Sequence, residues 1–419
     1  MMNGASEIGR NNADAFKLSK ILIFSFFVLM TGMYICPEKI KLFCLIYVFI
    51  LFVYFLCNFS LRIAVNPTIL AWAAFCILGV LFCTVWNYKN LGGAIEFVVS
   101  IFIGLLTQIF CRDLKTKKRL MYMILAVSII AFIGCIIQLI APEILLKLNP
   151  ITLGAEKYNI FYSFYKGNFL VGFSYQTGVT GYYLGVLAGF ILCFWLFDNN
   201  LSKGKKILLA LLFAVCFVFI LLTAKRSVLL LVAVLAYALI CYRNKKNIVK
   251  VFGVTALMGI ALLLLLLFTD MGRSLLARTF GSSPLTGRDV IYAQLFDMIK
   301  AKPIFGYGFG GTVEMIKGFT NGHNIYFQVL AENGIVGFII IMSIFIYNMV
   351  ISFKAFKNVD QDNKKTVLIC IYLQLFFLGM GFFGNPLYDI YPVVIYMIAV
   401  GIVQNISMRG INNERAVDI

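Results

Sequence analysis

The sequence predicts an all-α integral membrane protein with about twelve transmembrane helices and two longer external loops. Of its 419 residues, 62% are apolar and 13% are charged, against roughly 45–50% and ~25% in a soluble domain. The mean hydropathy is +0.94, and apolar runs of about 17–25 residues, the length that spans a bilayer as a helix, recur along the chain. These values exclude a soluble, secreted or disordered protein and a conventional nucleic-acid-binding protein.

The apolar runs are separated by short polar turns, so the whole chain, 1–419, is predicted to be one polytopic membrane domain. No small-residue cleavage site follows the first run, which predicts an uncleaved anchor. The predicted spans are 19–36, 40–59, 69–86, 94–110, 120–141, 180–197, 207–224, 227–242, 250–268, 325–351, 366–384 and 391–406.

The net charge of +18 is interpreted as a signal of topology. If both termini and the even-numbered connections are cytoplasmic, more than half of the 36 Lys and Arg lie on that side, as the positive-inside rule requires. The charge therefore needs no nucleic acid to explain it. We expect a membrane protein with both termini in the cytoplasm.

The two long connections, 142–179 and 269–324, both fall outside under this topology, and the second is expected to carry the active site. Its basic residues outnumber its acidic ones, against the topological bias. An anionic ligand on that side would explain the excess, and arginine suits phosphate because its planar fork donates two parallel hydrogen bonds. The basic residues are Arg273, Arg278, Arg288, Lys300, Lys302 and Lys317.

Metal chemistry has little support in the sequence. The 11 cysteines lie in or beside apolar runs without a CxxC pair, and there is 1 histidine, so neither a metal nor another cofactor is expected. Asp360 and Asp362 form a D-x-D, which sugar-nucleotide transferases use to hold a metal. A solvated loop among lysines is the other interpretation of that pair.

Two further features have a structural and a functional interpretation each. Lys225 and Arg226 stand at a tight turn between two apolar runs, where charge at membrane depth is costly and indicates function, unless both side chains only reach the interface. His323 follows the basic loop, and nearby positive charge would keep its imidazole neutral and able to act as a general base. A structural role for the ring is the alternative.

The segment GYGFGG, 306–311, matches G-x-G-x-x-G literally but lacks the strand and helix of a dinucleotide-binding unit. It is interpreted as a glycine-rich turn that lets the backbone approach another group. Successive N–H groups in such a turn can also bind a phosphate.

Taken in order, several motifs resemble the O-antigen ligase and O-antigen polymerase family of bacterial envelope enzymes. They are TAKRS at 223–227, TGR at 286–288, P-x-x-G-x-G at 303–308 and HN-x9-G-x-x-G at 323–337. The resembling segment is 205–380. Lys225 stands where the family often has a small residue before the arginine, and the outer loop is short for a ligase.

The resemblance implies a protein of the bacterial inner membrane that transfers a glycan from undecaprenyl pyrophosphate to a hydroxyl, without metal or nucleotide. Attack opposite the leaving group would invert the anomeric centre. Carried over by position, Arg226 and Arg288 match the arginines expected to hold the pyrophosphate, and His323 matches the expected base. The other substrate-binding candidates stand within the same motifs. They are Lys225, Asn324, Gly306 and Gly308.

Four functions remain open at this point. A polymerase that joins lipid-linked repeat units is favoured, and a ligase that moves the chain to lipid A–core is the second. A transporter of lipid-linked glycans and a cytoplasmic sugar-nucleotide transferase are less favoured. The expected partners are the lipid-linked donor, a glycan or lipid-linked acceptor and, for a polymerase, a chain-length regulator.

Overall fold

A computed structural model describes residues 67–85, 114–247, 287–316 and 322–417, together with isolated positions between these ranges. The regular elements of these ranges are helical. The α-helices are α1 (Pro67–Val85), α2 (Leu114–Ile140), α3 (Pro142–Lys166), α4 (Thr177–Phe197), α5 (Lys203–Leu222), α6 (Arg226–Arg243), α7 (Arg288–Ala301), α8 (Gly311–Met315), α9 (Ile325–Asn358), α10 (Gln361–Met380) and α11 (Ile390–Val417), with 3-10 turns at Lys245–Asn247 and Pro386–Tyr388.

The all-helical membrane architecture is confirmed. Within the described ranges, 6 helices are long and apolar enough to cross a bilayer, namely α1, α2, α4, α5, α6 and α9. The chain is thus a multi-pass membrane protein. The count of about twelve is not confirmed. Four of the predicted spans, 19–36, 40–59, 94–110 and 250–268, lie outside the described residues apart from isolated positions. The predicted spans 366–384 and 391–406 correspond to α10 and α11, which are not among these 6 helices.

Both long connections contain helices. The first, predicted as an external loop, is largely α3, which is kinked at Gly154 (φ 74°). The described parts of the second contain α7 and α8. The predicted span 366–384 ends earlier, since α10 stops at Met380 and a turn follows.

Helix α4 lies at the centre of the bundle and packs against α2, α5, α6 and α10. Small residues allow this close packing, as is common between membrane helices. A Cβ atom at Gly189 would lie 2.0 Å from the ring of Tyr372 on α10, and the Tyr372 hydroxyl donates to the Gly185 carbonyl at 2.9 Å. The middle of α4 is therefore held closely against the middle of α10.

Helix α9 begins where the second connection ends. The Asn324 side chain caps it by accepting hydrogen bonds from the N–H groups of Tyr326 (2.9 Å) and Phe327 (3.2 Å), which satisfies two of the orphan donors of a helix start. The helix is kinked at Gly334, where φ is 60°. A Cβ at Gly334 would lie 2.2 Å from the Ile304 carbonyl oxygen, so only glycine fits this kink.

Candidate active site

Lys225 lies in the turn between α5 and α6, at the N-cap of α6. The turn is tight because Ala224 adopts a left-handed conformation (φ 55°) and the Thr223 hydroxyl accepts from the Lys225 N–H at 3.3 Å. The half-buried lysine side chain lies against the start of α4, where a Cβ at Gly178 would be 3.5 Å from its Cε atom. The two glycines of α4, Gly178 and Gly181, thus make room for the lysine.

Arg288 is the first residue of α7 and follows Gly287, whose φ of 79° turns the chain into the helix. The half-buried guanidinium donates to the Phe383 carbonyl at 3.0 Å. This bond fixes one end of the fork on the connection between α10 and α11. The remaining donors of a guanidinium can serve a ligand.

His323 is half-buried and has a positive φ of 48°. Burial, followed by the positive charges of Arg288 and Lys225, lowers the pKa of His323 below its usual 6.5. Burial and Arg288 also lower the pKa of Lys225. The three side chains are thus close enough for their charges to act on one another, although they come from three separate segments of the chain.

The connection 381–389, between α10 and α11, holds the segments of Arg288 and His323 together. Its backbone carbonyls accept hydrogen bonds from the site: Phe383 from Arg288, Phe382 from the Asn324 amide at 3.3 Å, and Gly381 from the Ile325 N–H at 3.0 Å. The sequence does not indicate this connection, because backbone carbonyl acceptors do not depend on the type of side chain. The cluster Gly384-Asn385-Pro386 was the available signal for a turn.

A chain of hydrogen-bonded side chains supports the backbone next to His323. The Gln328 carbonyl oxygen accepts from the Gly322 N–H at 2.9 Å and from the Asn385 amide. The Gln328 amide donates to the fully buried Glu332 at 3.3 Å, and Glu332 also accepts from the Thr312 N–H at 3.2 Å. This network connects α8, α9 and the connection 381–389 next to His323.

The glycine-rich segment packs against the kink of α9. Its N–H groups donate to backbone carbonyls: Gly306 to Lys302 (3.2 Å), Tyr307 to Ala331 (3.1 Å) and Gly308 to Glu332 (2.6 Å). Gly306 and Gly308 have φ values of 67° and 81°. These N–H groups are therefore used in hydrogen bonds to the backbone. Substrate binding by the two glycines stays a prediction.

Arg226 differs in burial from the three residues that converge. It is exposed at the start of α6, beside the half-buried Lys225.

Asp360, the first residue of the D-x-D pair, is a helix cap. It caps α10 by accepting a hydrogen bond from the Asn363 N–H at 2.8 Å. Among the described residues, no group of three or more His, Cys, Asp and Glu is placed to hold a metal ion.

Asp389 is a carboxylic acid near the site that sequence analysis also missed. It caps α11 by accepting from the Tyr391 N–H at 3.2 Å, and burial raises the pKa of Asp389 to about 6. The Tyr391 ring lies 6.3 Å from Tyr183 on α4. The carboxyl group therefore stands beside the helix that also supports Lys225.

Fold and site together define a multi-pass membrane protein with a half-buried basic site at one end of its helices, suited to a phosphorylated ligand. Residues 211–342, just under a third of the chain, match the family model described as O-antigen ligase (Wzy_C). The chain therefore carries an O-antigen ligase family domain, and the matched segment includes Lys225, Arg288 and His323. Among curated proteins, none matches the chain.

This domain indicates membrane glycan transfer of the ligase and polymerase type, in lipopolysaccharide or polysaccharide biosynthesis. Enzymes of the family transfer lipid-linked glycans, which agrees with a basic site at the end of membrane helices. The resemblance to this family is thus confirmed at the level of the family domain, over residues 211–342.

Proposed function

We propose that the protein is an inverting glycosyltransferase that moves a glycan from undecaprenyl pyrophosphate to a sugar hydroxyl. The observation that carries the proposal is the convergence of Lys225, Arg288 and His323, two cations and a base, from three segments of the chain. A pyrophosphate needs cations, and an attacking hydroxyl needs a base. The site has both.

In the proposed reaction, the acceptor oxygen bonds to the anomeric carbon as the bond from that carbon to the pyrophosphate oxygen breaks. His323 takes the hydroxyl proton, and undecaprenyl pyrophosphate leaves with its electron pair. Attack from the side opposite the leaving group inverts the anomeric centre. The lowered pKa of His323 favours this role, because the ring is neutral near pH 7.

Arg288 and Lys225 stabilise the charge that develops on the leaving oxygen. Both are half-buried, and a preorganised donor in a water-poor site is worth about 2.7–4 kcal/mol. Arg226 is exposed, and we assign it the outer pyrophosphate oxygens, where water weakens its effect. With cations in these positions, the reaction requires no metal ion.

Asn324, Gly306 and Gly308 shape the site by holding its backbone. Asn324 fixes the start of α9 directly after His323, and the two glycines allow the segment 303–309 to pack on the kink of α9. We propose that they affect substrate binding through these positions.

The active site is proposed to face the periplasm, with both termini in the cytoplasm and about twelve spans. The positive-inside distribution supports this orientation. The lipid-linked donor would then be used in the outer leaflet.

The favoured acceptor is another lipid-linked repeat unit, which makes the protein a polymerase. The short outer connection supports this choice. The second candidate is a ligase with lipid A–core as acceptor, and the description of the matched family favours it. The products differ: repeat-unit ladders on undecaprenyl pyrophosphate mark a polymerase, and glycan on lipid A–core marks a ligase.

The direct test uses purified protein, a lipid-linked oligosaccharide and each acceptor, with EDTA present. We expect glycan transfer and release of undecaprenyl pyrophosphate. Consumption of a sugar nucleotide in place of the lipid-linked donor would contradict the proposal, and so would transport of the donor without transfer.

A further inference from the structure

A cavity of about 470 Å³ lies at the end of the bundle opposite the candidate active site. It is formed where α4 and α6 end, where α10 begins and beside the last turns of α9. The same four helices bring His323, Lys225 and the connection 381–389 together at their other ends. Since the 21 residues of α4 span ~30 Å as a helix, the cavity and the site lie about one bilayer core apart.

The cavity is basic. Arg243, Lys364 and Lys365 line it, against a single acid among the described lining residues, Asp198. That acid is already paired, because Lys365 Nζ lies 2.7 Å from Asp198 Oδ2. The hydrogen bond that Arg243 donates goes to the neutral amide of Asn199 at 3.1 Å. Two positive charges therefore line the cavity in excess.

Aromatic rings form the apolar wall of the same cavity. The Tyr242 ring lies 6.0 Å from Phe197 and 5.9 Å from Phe356. The cations lie over these rings, with Lys364 Nζ 5.5 Å from Phe356 and the Arg243 guanidinium 6.0 Å from Phe197. The wall thus combines an apolar surface with cations at its edge, which is the chemistry of a lipid headgroup with its first acyl carbons.

We propose that this cavity binds the phosphate group of an anionic phospholipid in the leaflet opposite the active site. A topological charge excess alone would spread lysines over the surface, whereas these cations come from different helices onto one cavity. Its volume lies in the range of small-ligand sites. Basic pockets between membrane helices suit anionic headgroups, and each cation contributes roughly 1 kcal/mol, or about fivefold in affinity.

The test measures retention of phosphatidylglycerol by the full-length protein in native mass spectrometry, starting from mixed phosphatidylglycerol and phosphatidylcholine nanodiscs. The test variant is Arg243→Gln/Lys364→Gln, which keeps the Lys365–Asp198 pair. The matched control is Lys203→Gln/Lys205→Gln, which removes two exposed charges from the start of α5. We expect the test variant to hold phosphatidylglycerol ~25-fold more weakly, by the fivefold factor for each of two cations, and the control to match the wild type.

Equal retention by the test variant and the wild type would overturn the proposal. Equal loss in both variants would do the same, because it would indicate general surface charge. In a second arm, glycerol 3-phosphate competes with the lipid. Displacement at millimolar concentration would assign the phosphate site to a soluble ligand and overturn the lipid assignment, whereas no displacement supports it. Unchanged thermal unfolding of each variant shows that the fold is intact.

Discussion

At one end of helices α4, α6, α9 and α10, half-buried Lys225, Arg288 and His323 converge, and the Phe383 carbonyl accepts a hydrogen bond from Arg288. At the other end, the cations Arg243, Lys364 and Lys365 border an open cavity, where one is paired with Asp198 and the others lie over aromatic rings. The first arrangement lowers the pKa values of His323 and Lys225. The second leaves its charges accessible to a ligand.

The comparison shows that a count of basic residues cannot separate chemistry from topology. Both ends are basic in sequence, and at the candidate active site burial combines with like charge to lower the pKa of a base. At the opposite end, the hydrogen bond and charge of Lys365 lower the pKa of Asp198, which is the ordinary effect of an ion pair.

The largest effect is all-or-none labelling of the two ends from opposite sides of the membrane. A cysteine at the exposed Glu314, near the active site, should react with an impermeant maleimide in cells with a permeabilised outer membrane. A cysteine at the exposed Asn200, at the opposite end, should react only after inner-membrane lysis. The native protein, labelled in parallel, corrects for its own cysteines. The reverse pattern would refute the proposed orientation and the periplasmic mechanism with it.

His323→Gln should reduce glycan transfer by ~10²–10⁴, the value of a general base. Glutamine can still form a hydrogen bond but is no base at pH 7, so the substitution separates catalysis from packing. Binding of the lipid-linked donor, measured by pull-down with labelled lipid, should persist because the cations remain. Transfer at the wild-type rate would remove the histidine from the mechanism.

Arg288→Ala should reduce the transfer rate by ~10²–10³, as expected for one lost preorganised donor. Arg288→Lys should not restore it, because an ammonium group cannot reproduce the two parallel bonds of the guanidinium. The control is Lys357→Ala, which removes an exposed charge from the opposite end and should leave the rate unchanged. Full activity in Arg288→Lys would show that charge alone is sufficient.

Lys225→Ala should reduce transfer more than Arg226→Ala, although the two residues are adjacent. Lys225 is half-buried and its charge acts on His323, whereas Arg226 is exposed and screened by water and salt. The measurement is the rate of transfer at low and moderate ionic strength. A larger loss for Arg226→Ala would assign the main pyrophosphate contact to the exposed residue, as the motif alone suggests.

The transfer rate should fall as pH decreases through a value below 6.5, by about tenfold per unit below the folded-state pKa of His323. The sign follows from the base: burial, Arg288 and Lys225 favour the neutral ring, and protonation removes its acceptor. Asp389, with a pKa of about 6, titrates in the same range, so the profile is also measured in Asp389→Asn. If the inflection disappears in that variant, the carboxyl group and not the imidazole controls the rate.

The site was only partly predictable from the sequence. His323, Arg288 and the Lys225–Arg226 pair were found because charged and titratable residues are rare in this apolar chain. The relative burial of Lys225 and Arg226 could not be found, since it depends on how Gly178 and Gly181 of α4 meet the α5–α6 turn. The connection 381–389 could not be identified from the sequence, because it acts through backbone carbonyl groups, which every residue possesses.

The class of fold and the presence of the family domain follow from the sequence alone. Apolar runs long enough to cross a bilayer must form helices, because lipid offers no hydrogen bonds to the backbone. The order and spacing of a few motifs, most of them between these runs, identified the domain. The folded structure brings the charges of residues 225, 288 and 323 within range of one another and forms a basic cavity at the other end of the same helices. The physical reason is that burial and charge coupling depend on distances between segments far apart in the chain, and the packing of α4 against its neighbours sets those distances.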